Sequence, residues 1–159
     1  MDTRLTPAFW TLRIAFGLMA FLAGIDKFLN LLTNWEQYAS PLVLAVAPFS
    51  AGTLMRVAGV VEMAAGLAVL VGVTRLGGYV VAAWLSLIAL TLVTTGRYFD
   101  IAVRDLVLAC GAFVLARLSE VREETAVRRS RNTRLSAVAV VALVVAAAAV
   151  PATARAREL

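Results

Sequence analysis

Six ionisable side chains, Asp26, Lys27, Glu62, Asp100, Arg104 and Asp105, stand inside or at the mouths of segments that otherwise read as membrane-spanning. A charge in hydrocarbon costs at least about 2.5–3.5 kcal/mol on insertion scales, so such residues need a partner, a polar cavity or a depth within reach of water. An ammonium and a guanidinium beside carboxylates can bind an anion or a polar headgroup, or hold a proton. They can also simply neutralise one another between helices and fix packing and register. The ligand or proton site and the structural ion-pair network are both open readings of these residue types.

The elements around them are set by composition. The chain has 159 residues, 62% of them hydrophobic, against about 45–50% apolar in a soluble domain. This predicts an all-α polytopic membrane protein. There is no histidine, which removes bis-His haem ligation, His-based metal sites and the usual proton shuttle. Cys110 is the only cysteine, so no CxxC and no intrachain disulfide can form, which argues against thiol–disulfide exchange of the vitamin K epoxide reductase type. The chain therefore offers no metal site, no covalently bound cofactor and no activated nucleophile of its own. Its net charge is +5, but most arginines fall between hydrophobic runs. Membrane topology explains them better than nucleic acid does.

Five apolar stretches stand out: Phe9 to Leu32, Leu54 to Val73, Gly77 to Thr95, Ile101 to Leu118 and Leu135 to Val150. A spanning helix needs roughly 20 residues. The first three fit readily, and the fourth fits if its charged start lies at the interface. The fifth is short and Ala/Val-rich. With Arg128-Arg129 before it and Ala152-Thr-Ala154 after it, it also resembles a signal peptide, although a C-terminal position favours a plain span. The expected organisation is a four-helix core over residues 1–118, a basic loop over 119–134, and a fifth transmembrane helix with a short tail over 135–159. Residues 117–134 carry Arg117, Arg122, Arg128, Arg129, Arg131 and Arg134, so this loop is expected in the cytoplasm. Counting back places Arg75 and the N-terminus inside and residues 33–53, which lack Lys and Arg, outside. If residues 135–150 do not cross, the C-terminus is inside and the rest stands.

This topology puts all six charges in the outer half of the bilayer; Glu62 lies about 12 Å below the outer start of its helix at 1.5 Å per residue. At about 100° per residue, Arg13, Gly17, Ala20, Gly24 and Lys27 share one stripe. Gly59, Glu62 and Gly66 share another, and Asp100, Arg104, Val107 and Gly111 a third. Small residues allow helices to approach closely in membranes. Lys27, Glu62 and Arg104 are therefore expected on packed faces, Asp100 is placed to pair with Arg104, and Asp26 and Asp105 are expected to point elsewhere. Arg13 reads as snorkelling to the inner interface and Arg56 to the outer headgroups. Trp10, Trp35 and Trp84 read as interfacial or lipid-facing, and Cys110 as a small packing residue. The outer stretch Asn34-Trp35-Glu36-Gln37-Tyr38, followed by the short apolar run from Pro41 to Pro48, reads as an interfacial or re-entrant segment over the bundle mouth. It serves either as an anchor or in ligand access.

The succession Arg13…Gly17…Gly24-Ile25-Asp26-Lys27-Phe28, then Gly59-Val60-Val61-Glu62-Met63-Ala64-Ala65-Gly66, then Arg104-Asp105-Leu106, resembles the DoxX-like family of small membrane proteins over roughly residues 10 to 118. The resemblance implies a four-helix membrane bundle in the bacterial cytoplasmic (inner) membrane. Family members include a membrane subunit of thiosulfate:quinone oxidoreductase, others linked to oxidative-stress complexes, and many without known activity. The expected function is then an integral membrane subunit of a quinone-linked electron-transfer complex of the respiratory or sulfur-oxidising type. Its outer charged layer would bind a quinone, a small anion or a partner subunit. Lys27 and Arg104 would supply positive charge, and Glu62 would orient them or accept a proton. Electrons would have to come from a partner. The alternatives are a transporter-like protein for small solutes or lipid, and a purely structural accessory subunit.

Overall fold

The computed structural model describes residues 3–46 and 49–155, and among these every regular element is helical. After a 3₁₀ turn, Thr3–Leu5, come α1 (Thr6–Leu29), a second 3₁₀ turn (Trp35–Tyr38), α2 (Pro41–Val46), α3 (Ala51–Val71), α4 (Thr74–Thr94) and α5 (Phe99–Arg155). Helices α1, α3 and α4 are long and apolar enough to cross a membrane. The chain divides into two compact units, Met1–Glu120 and Val121–Leu159.

Local chemistry sets the helix ends. Pro7 occupies the first turn of α1, where its missing N–H costs nothing. That helix stops at Asn30, whose φ of 51° lies in the left-handed region that asparagine tolerates better than most residues. Ser50 caps α3 by accepting from Thr53 N, and α3 ends at Gly72 with φ 114°, a conformation that strains any side chain.

The core of the first unit is built from Phe9, Phe16, Ala20, Ala65, Val69, Val81, Leu85, Ala109, Ala112 and Leu115. Helices α1 and α3 run antiparallel and nearly touch. A Cβ on Gly24 would meet Gly59 O at 2.6 Å, and one on Gly66 would meet Gly17 O at 2.6 Å. Seven residues up α1 match seven residues down α3, so glycine meets glycine at two levels. Helix α4 packs on α5 in the same small-residue manner, with Gly78 against Ala112 and Ala116.

One expectation about α5 changes. Residues 119–134, read above as a connecting loop, are helical and belong to α5. From Ala112 to Val150 there is no glycine or proline, and the stretch is rich in Ala, Glu and Arg, all good helix formers; charge alone does not end a helix. The backbone of 135–150 is likewise helical, whereas the tail beyond 155 and residues 47–48 lie outside the described residues.

Candidate functional site

The charged layer is assembled by the Gly24–Gly59 contact. With the two backbones in register there, Lys27 and Glu62 are offset by six residues, about 9 Å along the axis. Helical side chains lean toward their own N-terminus. Because α1 and α3 are antiparallel, Lys27 leans toward the level of Glu62, and Glu62 leans back toward Lys27. They meet with Lys27 Nζ 2.6 Å from Glu62 Oε2, and both side chains are buried.

Two tryptophans complete the pair. Trp84 on α4 donates its indole N–H to Glu62 Oε1 at 3.1 Å. The ring of Trp35 lies over Lys27, with Nζ 3.8 Å from its centroid. The ammonium is thus held between a carboxylate and an aromatic face, an arrangement that strengthens when water is excluded.

Asp26 organises the cover. Its Oδ2 accepts the Trp35 indole N–H at 2.7 Å, and its Oδ1 accepts the backbone N–H of Leu31 at 2.9 Å and of Leu32 at 3.2 Å. One carboxylate therefore closes the chain beyond α1 and aims the indole. Further along, Tyr38 packs edge-to-face on Tyr98 with centroids 4.8 Å apart, and the buried Ser40 hydroxyl lies 2.7 Å from that of Thr94. The Trp35 segment is fastened to α1 at one end and to α4 and the start of α5 at the other, over the Lys27–Glu62 pair.

On α5 the expected phase is reversed. Asp105 is buried, and Arg104, expected inward, leaves 66% of its side chain exposed while its Nε approaches Asp105 Oδ1 at 3.5 Å. Asp100 is exposed. The buried stripe is Ala102, Asp105, Ala109, Ala112, Ala116 and Ser119, which follows helical spacing through small residues and leaves Arg104 on the neighbouring face. Asp26, expected to point away, is buried as well. The structure pairs Lys27 with Glu62, ties Asp26 to them through Trp35, pairs Asp105 with Arg104, and leaves Asp100 exposed.

No family model, no curated protein and no solved structure matches this chain.

Three contributors escaped the sequence reading. Trp35 and Trp84, taken there as interfacial, are half-buried hydrogen-bond donors to the layer. The signal for Trp84 was present: Glu62 and Trp84 are equally far in sequence from Val73, in the short turn joining α3 to α4, so a tight antiparallel hairpin puts them opposite each other. Arg13 is the third. Instead of snorkelling, it donates from Nε to Val69 O at 3.0 Å and from Nη2 to Leu70 O at 2.7 Å. It occupies the C-terminus of α3, where a cation satisfies otherwise unpaired carbonyls and complements the helix dipole. Its guanidinium also lies over Trp10, 4.8 Å from the ring centroid.

Proposed function

We propose that this chain is a DoxX-like integral membrane subunit of a quinone-linked electron-transfer complex in a bacterial inner membrane, and that the layer around Lys27 and Glu62 receives a quinone headgroup. The observation that carries the reading is the buried ammonium–carboxylate pair flanked by two indole N–H donors. A quinone headgroup is flat, apolar in its ring and polar at two carbonyl oxygens. An ammonium beside aromatic faces suits both parts of it, and Glu62 is positioned to take or supply the accompanying proton. With no histidine and one cysteine in the sequence, electrons are supplied by a partner subunit. The arginine distribution supports an orientation with the N-terminus and residues 117–134 in the cytoplasm and the Trp35 segment on the outer side.

A second reading has its own observation. Among the described residues no buried side-chain nitrogen or oxygen lacks a hydrogen-bond partner, which is what a purely structural pair requires. One experiment separates the two. Membranes carrying wild type, Glu62→Gln, Lys27→Met or Arg104→Gln are compared for complex assembly and quinone reduction. Normal assembly with lost reduction in the first two variants, and little change in Arg104→Gln, supports the quinone site. Lost protein with no separate catalytic effect supports the structural reading. Normal assembly and normal reduction in all three discards the site.

A further inference from the structure

The Lys27–Glu62 pair is sealed, with its side chains 6% and 7% exposed, so a headgroup reaches it only if part of its shell moves. Much of that shell is helix. Gly24 and Gly59 bring the backbones of α1 and α3 into contact beside the pair, and Trp84 stands in the middle of α4. Residues 33–38 are built differently, as a small unit with bonds of its own. Gln37 donates from Nε2 to Thr33 Oγ1 at 2.9 Å, and Glu36 donates its backbone N–H to Asn34 Oδ1 at 3.1 Å. The chain on either side is tied down separately, by Asp26 on the Leu31 and Leu32 N–H groups and by Ser40 on Thr94. Between these roots, side chains hold the unit to the bundle. Trp35 rests on Asp26 and Lys27, Tyr38 on Tyr98, and Glu36 Oε1 beside Gly52 in the first turn of α3.

We propose that residues 33–38 are a hinged cover that swings off Lys27 to open the pair, with Tyr38 on Tyr98 as its latch; as an entry route for a quinone headgroup, this rests on the function proposed above. Opening breaks the Trp35–Asp26 bond, the Trp35–Lys27 contact and the Tyr38–Tyr98 contact, and it strands no buried charge. Asp26 keeps the N–H groups of Leu31 and Leu32. Lys27 keeps Glu62, and Glu62 keeps Trp84. The latch is also loaded. Tyr98 has a φ of 59°, a left-handed conformation that a bulky residue seldom adopts and that persists only where its surroundings hold it. Releasing Tyr38 lets Tyr98 relax, which offsets part of the cost of opening.

The test locks the cover in the full-length protein in membranes, with the exposed Cys110 replaced by alanine. Glu36→Cys and Gly52→Cys are joined by a short methanethiosulfonate cross-linker that a reductant releases. A Cβ at Gly52 meets Glu36 and nothing else beyond its own helix among the described residues, so the two substitutions make room for each other. Lys27 is the only lysine, and its slow labelling by an amine reagent, mapped by mass spectrometry, reports opening without any quinone. Linking should suppress the labelling, and reductant should restore it. Tyr38→Ala should speed it about fivefold, as expected for losing one edge-to-face aromatic contact. Equal labelling of linked and released protein, or no acceleration in Tyr38→Ala, would overturn the cover. Quinone reduction is read on the same samples. Loss on linking with recovery on release supports entry beneath the cover. Suppressed labelling with undiminished reduction leaves the cover standing and overturns the quinone reading of the pair.

Discussion

Glu62 and Glu120 are gripped in similar ways at opposite ends of the same unit. Each carboxylate holds a cation and takes a hydrogen bond from an aromatic donor, Trp84 in one case and Tyr79 in the other. Their settings differ. The Lys27–Glu62 pair is 6% and 7% exposed, while the arginines on Glu120 are mostly outside. Glycine-to-glycine contact between α1 and α3 seals the first pair, and its cation is matched one for one. At the Glu120 end, the long side chains of Arg75 and Arg117 reach in from the surface, where water screens their charges. Burial, more than the identity of the partners, separates the sealed pair from the group whose cations face water.

The contrast can be broken from its buried side first. Glu62→Ala should cost about 3–5 kcal/mol by leaving Lys27 buried and unpaired, seen as a large drop in unfolding midpoint in detergent. Adding Lys27→Met to Glu62→Leu should recover most of the stability; failure to recover would mean that the pair contributes more than neutrality. Gly24→Ala comes next, at about 1–3 kcal/mol for overpacking, because its Cβ would meet backbone on α3 at 2.6 Å and 2.8 Å. A cysteine-crosslinking scan between α1 and α3 would report the separation. Trp35→Phe keeps an aromatic face over Lys27 but removes the bond to Asp26, and should lose about 1 kcal/mol. Faster proteolysis between residues 30 and 40 would register it. Glu120→Gln should change stability least, by about 0–1 kcal/mol as for other solvent-exposed ion pairs. What remains of that effect should fade in 1 M salt, where the Debye length is about 3 Å, while the Glu62 effect should persist.

Legibility in the sequence followed the same contrast. The stripes holding Gly17, Gly24 and Lys27 on α1, and Gly59, Glu62 and Gly66 on α3, are faces that the structure buries, because small residues at helical spacing have one strong meaning in a membrane. On α5 Gly111 is only half-buried, and Arg104 on its stripe is exposed. The alanines at 102, 109, 112 and 116 mark the packed face instead, and Asp105 lies on it. The tryptophans were misplaced for a different reason: an indole suits the headgroup region and a buried hydrogen bond equally well, and only the hairpin register separates the two. Residues 119–134 resemble a loop by their run of charge but stay helical, because nothing in that run breaks a helix.

The 35 residues separating Lys27 from Glu62 also impose an order of assembly. Lys27, the only lysine in the chain, is synthesised before its counter-ion and before α3 can dock. Its place near the end of α1 lets it wait at the headgroup level, with its long stem in the bilayer. We predict that docking of α3 draws it inward, so that pairing is a late event in biogenesis and not a property of α1 alone. An amine reagent should then modify Lys27 in a released, membrane-inserted fragment ending at residue 50 and spare it in the finished protein; equal protection in both would show that the lysine is buried from the outset.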